Sequence, residues 1–284
     1  MDADRISLPA LAIFDLDGVV YRGDAPIPGA ADLVAALHGA GRMVRFATNN
    51  SMATRQAYVE RLATQGIPSN PDEIVTSTWA TIQHFRAHEP SIRRVMALGA
   101  AGMLAELRDA GYDATYAGDA APRDWAGERP TERYDVVVAG LDPAVDYRAL
   151  GIAASAIRAG SAFVATNADA RYPLANGFAP GAGAIVAALR TASGVEPLVI
   201  GKPQPAMFQA ILDATGVAAE AALVIGDNPG SDVVAARRAG IPVLLVLTGI
   251  ADEGQVSMLD GERKPDWVAA DPSAAAALLG LSLN

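Results

Sequence analysis

Five apolar runs of strand length in this chain end on a small polar or charged group, and no other feature constrains the fold as strongly. LAIF ends at Asp15, MVRFA at Thr48-Asn49-Asn50, PLVIG at Lys202, ALVIG at Asp227 and PVLLVL at Thr248-Gly249. Runs this apolar suit strands buried on both faces of a parallel sheet. Helical patterns separate them: AADLVAALHGAG after Pro28-Gly29, a polar segment from Ser51 to Leu62, AMFQAILDATG after Pro205, and VVAARRAG closed by Gly240. Ser231 or Asp232 would cap the last of these. The alternation predicts an α/β fold with a mainly parallel sheet. Ligands of such sheets bind beyond the carboxyl ends of the strands, so the five endings are expected at one edge.

The same alternation restarts in the middle of the chain, as RRVMALG, GMLAELRDAG, YDVVVAG, YRALGIAASAIRAG and SAFVATN. It predicts a second α/β unit over 89–181 inserted into a discontinuous first domain of 1–88 and 182–284. Pro180-Gly181-Ala182-Gly183 reads as a flexible joint leading back, and DWVAADPSAAAALLG as a final short strand and helix.

With 284 residues, 51% hydrophobic and 19% charged, the chain has ample material for a core and little for extended disorder. No apolar run reaches the length of a membrane span. The start, MDADRISLPALAIFDLDG, lacks the basic residues and cleavage site of a signal peptide, so a cytoplasmic protein is expected. The absence of cysteine agrees with that and removes thiol chemistry. A formal net charge of −10 without a Lys/Arg cluster argues against nucleic acid. One small phosphate remains acceptable to an acidic protein where a metal and a lysine offset the charge.

DxD alone says little, since acidic pairs at strand ends are often turn or cap residues. The order of elements says more: Asp15-x-Asp17-Gly18, Thr48-Asn49-Asn50, Gly201-Lys202-Pro203, then Gly226-Asp227-(x)4-Asp232. This ordered set resembles the haloacid dehalogenase superfamily. DLDGVVYRGDAPIPGA, FATNNS, TNADARYPLANGFAPGAGA and IGKPQPAMF bring it closest to the subclass of NagD-like, nitrophenylphosphatase and phosphoglycolate phosphatase enzymes, subfamily IIA. The resemblance implies a Rossmann-like core with a large inserted α/β cap, and Mg²⁺-dependent hydrolysis of a small phosphorylated metabolite through an aspartyl phosphate.

It also implies roles. Asp15 would attack phosphorus, and Asp17 would protonate the leaving oxygen and then activate water. Lys202 would bridge phosphate and nucleophile. Asp15, the Asp17 carbonyl and Asp227 would offer Mg²⁺ the oxygen ligands it prefers. Asp232 would join that site, orient Lys202 or a metal-bound water, or simply cap its helix. Thr48 and Asn49 would hold phosphoryl oxygens, while Asn50 would do the same or shape the loop. Asn167, Asp169, Arg171 and Tyr172 come from the insert, where the subclass faces the leaving group. Arg171 would pair with a substrate carboxylate or second phosphate, or stay solvated. RYPLANG stands nearer the phosphoglycolate phosphatase pattern than that of pyridoxal phosphatases, which carry histidine at the Tyr172 position. Cap-to-cap homodimers are what the subclass suggests.

A phosphomutase on the same scaffold and a non-catalytic phosphometabolite sensor are the alternatives. Gly201-Lys202 is no P-loop, because Glu196 stands where the earlier glycine belongs. His84 and His88 are four apart on an expected helix, with neither HExxH nor cysteine beside them, and read as surface or packing residues.

Overall fold

In the computed structural model, which describes residues 6–121, 132–174 and 177–283, the chain forms two compact units. The first comprises 1–48, 55–75 and 202–284. Its sheet runs Trp267–Ala269, Val243–Val246, Ala222–Gly226, Leu11–Asp15, Met43–Thr48, Ile74–Thr76. Leu11–Asp15 lies between two parallel neighbours, with Phe14 level with Ile225 on one side and Asp15 level with Ala47 on the other. Leu11, Ala12, Ile13 and Phe14 are fully buried, as expected of a strand covered on both faces. Burying each large apolar side chain contributes roughly 1.5–3 kcal/mol. The chain leaves this first strand toward one side of the sheet and returns on the other through Ala222–Gly226. That reversal places Asp15 at the topological switch point, where ligands of open α/β sheets bind.

The second unit comprises 49–54 and 76–201. Its sheet runs Leu198–Val199, Ala162–Ala165, Val136–Ala139, Arg94–Leu98, Asp113–Tyr116, all parallel. Asp146 caps helix Tyr147–Arg158 by accepting a hydrogen bond from the Ala149 N–H at 2.6 Å. That helix buries Ala149, Ile152, Ala153, Ala156 and Ile157, a three-and-four spacing that forms one apolar stripe. Ile185, Val186 and Leu189 of helix Ala182–Ser193 join the same core cluster. Among the described residues no helix is long and apolar enough to cross a membrane.

The units depart from the expected boundaries of 89 and 181. Residues 49–54, 76–88 and 182–201 cluster with the second unit. The physical reason is visible in its core, to which helix Ala182–Ser193 supplies part of the lining, and in its edge strand Leu198–Val199. PLVIG thus pairs with Ala162–Ala165 and not in the first sheet, so only four of the five runs end at one sheet edge. Pro180-Gly181-Ala182-Gly183 is no loose joint either. Pro180 ends a hairpin strand, the Gly183 N–H donates to the Asp169 carbonyl at 2.9 Å, and a Cβ on Gly181 would strike that same carbonyl. Neither Ser231 nor Asp232 caps Val234–Arg238, which follows directly from a π-turn over Pro229–Val233.

One acid sets the start of the second sheet. The Asp135 Oδ2 accepts the N–H groups of both Arg93 and Arg94 at 2.8 Å, and those bonds hold its carboxyl below the ordinary range. A value lower in the folded than in the unfolded chain stabilises fully above the unfolded pKa of about 3.9 and is lost as pH falls through the native value. Asp135→Ala is therefore expected to lower the melting temperature at pH 7, with the deficit shrinking toward pH 3; a pH series of thermal melts against wild type measures this.

Candidate active site

In the first unit, two strand ends, a π-turn and a loop bring four of the expected residues into one cluster. Asp15 closes strand Leu11–Asp15, Asp227 follows Ala222–Gly226, Asp232 sits on the π-turn Pro229–Val233, and Lys202 enters from its own loop. The Lys202 Nζ donates to Asp15 Oδ1 at 2.5 Å and to Asp232 Oδ1 at 2.7 Å, and reaches the Ala47 carbonyl at 3.4 Å. Lys202 is 3% exposed, Asp227 2% and Asp232 1%, so these charges act in a medium that screens them weakly.

Burial and neighbouring charges compete at Asp15, Asp227 and Lys202. Burial raises the Asp15 carboxyl well above the usual carboxylate range; Lys202 opposes the rise, while Asp232 and Asp227 add to it. Burial and the neighbouring Asp232 push Asp227 up to about 7, against the Ile250 N–H that donates to its Oδ2 at 2.7 Å. Burial alone would lower the Lys202 ammonium, but the Asp15 and Asp232 carboxylates outweigh it and hold the lysine protonated. The Asp232 Oδ2 accepts the N–H groups of Asp227 at 3.2 Å and Asn228 at 3.1 Å. Asp232 thus ties the lysine to the loop that carries Asp227, which disposes of the capping alternative.

With all three carboxylates ionised, the one ammonium would leave two negative charges in a buried space, which is why Asp15 and Asp227 hold their protons more tightly than usual. One oxygen from each of Asp15, Asp227 and Asp232 lies within 4.8 Å of the others. At about 4 Å and an effective dielectric of 20, each unbalanced pair of like charges costs about 4 kcal/mol. A divalent ion reverses that sign, and an all-oxygen donor set suits a hard cation such as Mg²⁺. The residues fit the ion that the sequence implies.

Two glycines make the cluster possible. Gly18, at φ +91°, would place a Cβ 2.5 Å from Asp227 Oδ2, and a Cβ on Gly249 would overlap the same oxygen. Thr248 Oγ1 donates to the Gly18 carbonyl at 2.6 Å and so pins these two loops together. Gly249→Val is expected to displace the Asp227 carboxylate and weaken Mg²⁺ binding at least tenfold, which calorimetric titration against wild type measures. The Gly249 signal was present in the sequence only as a strand-ending glycine; the adjacent Ile250 N–H, a main-chain donor, leaves no mark at all.

The other expected residues divide. Thr48, 4% exposed, ends strand Met43–Thr48 beside Asp15. Asp17 is exposed, yet desolvation raises its carboxyl, with Arg61 and Lys202 pulling it down. The Arg61 guanidinium stacks 3.8 Å from the Tyr21 ring centre, a neighbour of Asp17 that the sequence did not disclose.

In the second unit, Asn49, Asn167 and Asp169 form a network with Ser77. The Asn49 carbonyl accepts from Ser77 Oγ and from Asn167 Nδ2, each at 2.7 Å. The Asn49 Nδ2 donates to both Asp169 carboxylate oxygens, at 3.2 and 3.0 Å. Asn50 Oδ1 accepts from the Met52 N–H at 2.9 Å, the loop-shaping role. Arg171 and Tyr172 lie on the hairpin Arg171–Leu174/Gly177–Pro180, where Arg171 sits 5.5 Å from the Phe178 ring centre. The Ala175-Asn176 part of RYPLANG falls outside the described residues.

Comparison with known proteins agrees with this geometry. A family model described as haloacid dehalogenase-like hydrolase matches residues 12–113, and a second, HAD-hydrolase-like, matches 199–275. An acid sugar phosphatase of Staphylococcus epidermidis is 34% identical over 84% of this chain and 86% of its own length. Phosphoglycolate phosphatase 2 of Arabidopsis thaliana is 32% identical over 90% of this chain and 88% of its own. Among solved structures, a glycerol phosphate phosphatase from Mycobacterium tuberculosis in complex with magnesium superposes with a TM-score of 0.82 at 31% identity, covering 95% of this chain and 78% of that one. The chain therefore belongs to the haloacid dehalogenase-like hydrolases, and within them to the phosphatases.

Proposed function

We propose that this phosphatase hydrolyses small phosphate monoesters with Mg²⁺, through a phosphoaspartate formed at Asp15. The observation that carries the reading is the buried Lys202 ammonium held between Asp15 at 2.5 Å and Asp232 at 2.7 Å, with Asp227 close by. Asp15, Asp227 and the Asp17 carbonyl would hold the ion. Bound there, Mg²⁺ would offset the negative charge of the ionised carboxylates and would supply Lewis-acid polarisation of the phosphoryl group.

A carboxylate oxygen of Asp15 forms the bond to phosphorus as the bond to the leaving oxygen breaks. Asp17, on the same turn, gives its proton to that oxygen; its raised carboxyl suits a group that must arrive protonated. Asp17 then takes a proton from water as the water oxygen attacks phosphorus, releasing phosphate and restoring Asp15. Lys202 neutralises charge as it shifts from Asp15 to the phosphoryl group. Thr48 and the Asn49 segment hold the phosphoryl oxygens, and Asp169 supports the reaction by holding the Asn49 amide. Arg171 and Tyr172, on the hairpin of the second unit, are the residues whose substitution should change which monoesters are accepted. The relatives' names support sugar phosphates, glycerol phosphate and phosphoglycolate as substrate types. Phosphate release from p-nitrophenyl phosphate is expected with Mg²⁺, to vanish with EDTA and to return on adding the ion back. Undiminished turnover after chelation would overturn the metal dependence.

A further inference from the structure

Helix Ser77–His88 of the second unit carries two imidazoles one turn apart, His84 and His88, whose ring centroids lie 4.8 Å from each other. Positions four apart on a helix share a face. His88 is exposed and His84 half-buried. Neither side chain has a hydrogen bond or ion pair among the described residues. We propose that His84 and His88 together chelate one first-row transition ion of the Cu²⁺, Ni²⁺ or Zn²⁺ type, with solvent completing its coordination.

The chemistry follows from the geometry. Ion-to-nitrogen bonds of about 2.0–2.1 Å put two ligating nitrogens at most about 4.2 Å apart, the same scale as the 4.8 Å between the two ring centroids. Imidazole is a ligand for these borderline ions and a poor one for Mg²⁺, so the pair is chemically distinct from the all-oxygen cluster of Asp15, Asp227 and Asp232. Burial and the adjacent His88 lower the basicity of His84, with Glu89 opposing, which favours the neutral ring that binds metal. The pair lacks the HExxH glutamate and any cysteine, but two imidazoles on one helical face are enough to chelate an ion.

The test uses the untagged full-length chain saturated with Mg²⁺, so that the acid cluster is engaged. On Ni²⁺-charged resin the wild type should be retained and released by imidazole. His38→Ala should behave identically, since His38 faces Glu73 at 3.4 Å elsewhere in the fold. His84→Ala and His88→Ala should each run through. Calorimetric titration with Zn²⁺ should show one ion per chain in the wild type and an affinity at least tenfold lower in either variant. Cu²⁺ should bind more tightly than Ni²⁺ or Zn²⁺. Retention of His88→Ala like wild type, a change that sits on the surface and leaves folding alone, would overturn the proposal. So would a wild type that passes straight through the resin.

Discussion

Asp15→Asn is expected to cut phosphate release by about 10³-fold or more while the protein stays folded. Asparagine is isosteric and keeps an oxygen to accept from Lys202, so the contact seen at 2.5 Å survives in weaker form. What it loses is the negative charge and the nucleophilic oxygen pair. Only two carboxylates then face the ammonium, so a fall in Mg²⁺ affinity should accompany the lost turnover. Steady-state hydrolysis of p-nitrophenyl phosphate, with circular dichroism as the folding control, reads both outcomes. A variant that turns over like wild type removes Asp15 from the reaction.

Lys202→Met is expected to be the most destabilising single change at the site. Removing one partner of a buried ion pair costs about 3–5 kcal/mol, because the partner's charge is left uncompensated. Here two partners, Asp15 and Asp232, are left, beside Asp227. The melting temperature should fall sharply in EDTA and recover in part with Mg²⁺, which supplies the missing positive charge. Turnover should fall by about 10²–10³-fold even at saturating Mg²⁺, as for loss of a charge-stabilising donor. Equal melting of variant and wild type in EDTA would show that the lysine does not balance this cluster.

Much of this site was legible because it is built from strand endings. LAIF and ALVIG are apolar enough to be buried strands, so the acids after them had to emerge at a sheet edge, and Asp15 and Asp227 do. Where sequence reasoning fell short, the information was tertiary. PLVIG reads as a buried strand, but nothing in five residues says which sheet it joins; its partner is Ala162–Ala165 in the second unit. For the same reason the sequence does not show that residues 49–54, 76–88 and 182–201 cluster with the second unit. Ile74–Thr76 is too short to show a period. Asp169 carries the chemistry of a substrate ligand, and only its distance to Asn49 shows it engaged with the chain itself. Gly249 is a glycine for steric reasons that appear only once Asp227 is placed beside it.

Chemical trapping during turnover tests the proposed reaction most directly. Wild-type enzyme quenched in the steady state with a phosphate ester and Mg²⁺, then reduced with borohydride and digested, should yield homoserine at position 15, the reduction product of an aspartyl phosphate. Asp15→Asn treated identically should yield none. Homoserine at another aspartate, or an unmodified Asp15 peptide from enzyme caught in rapid turnover under conditions that accumulate the intermediate, would contradict the assignment of Asp15 as the group that takes up phosphorus.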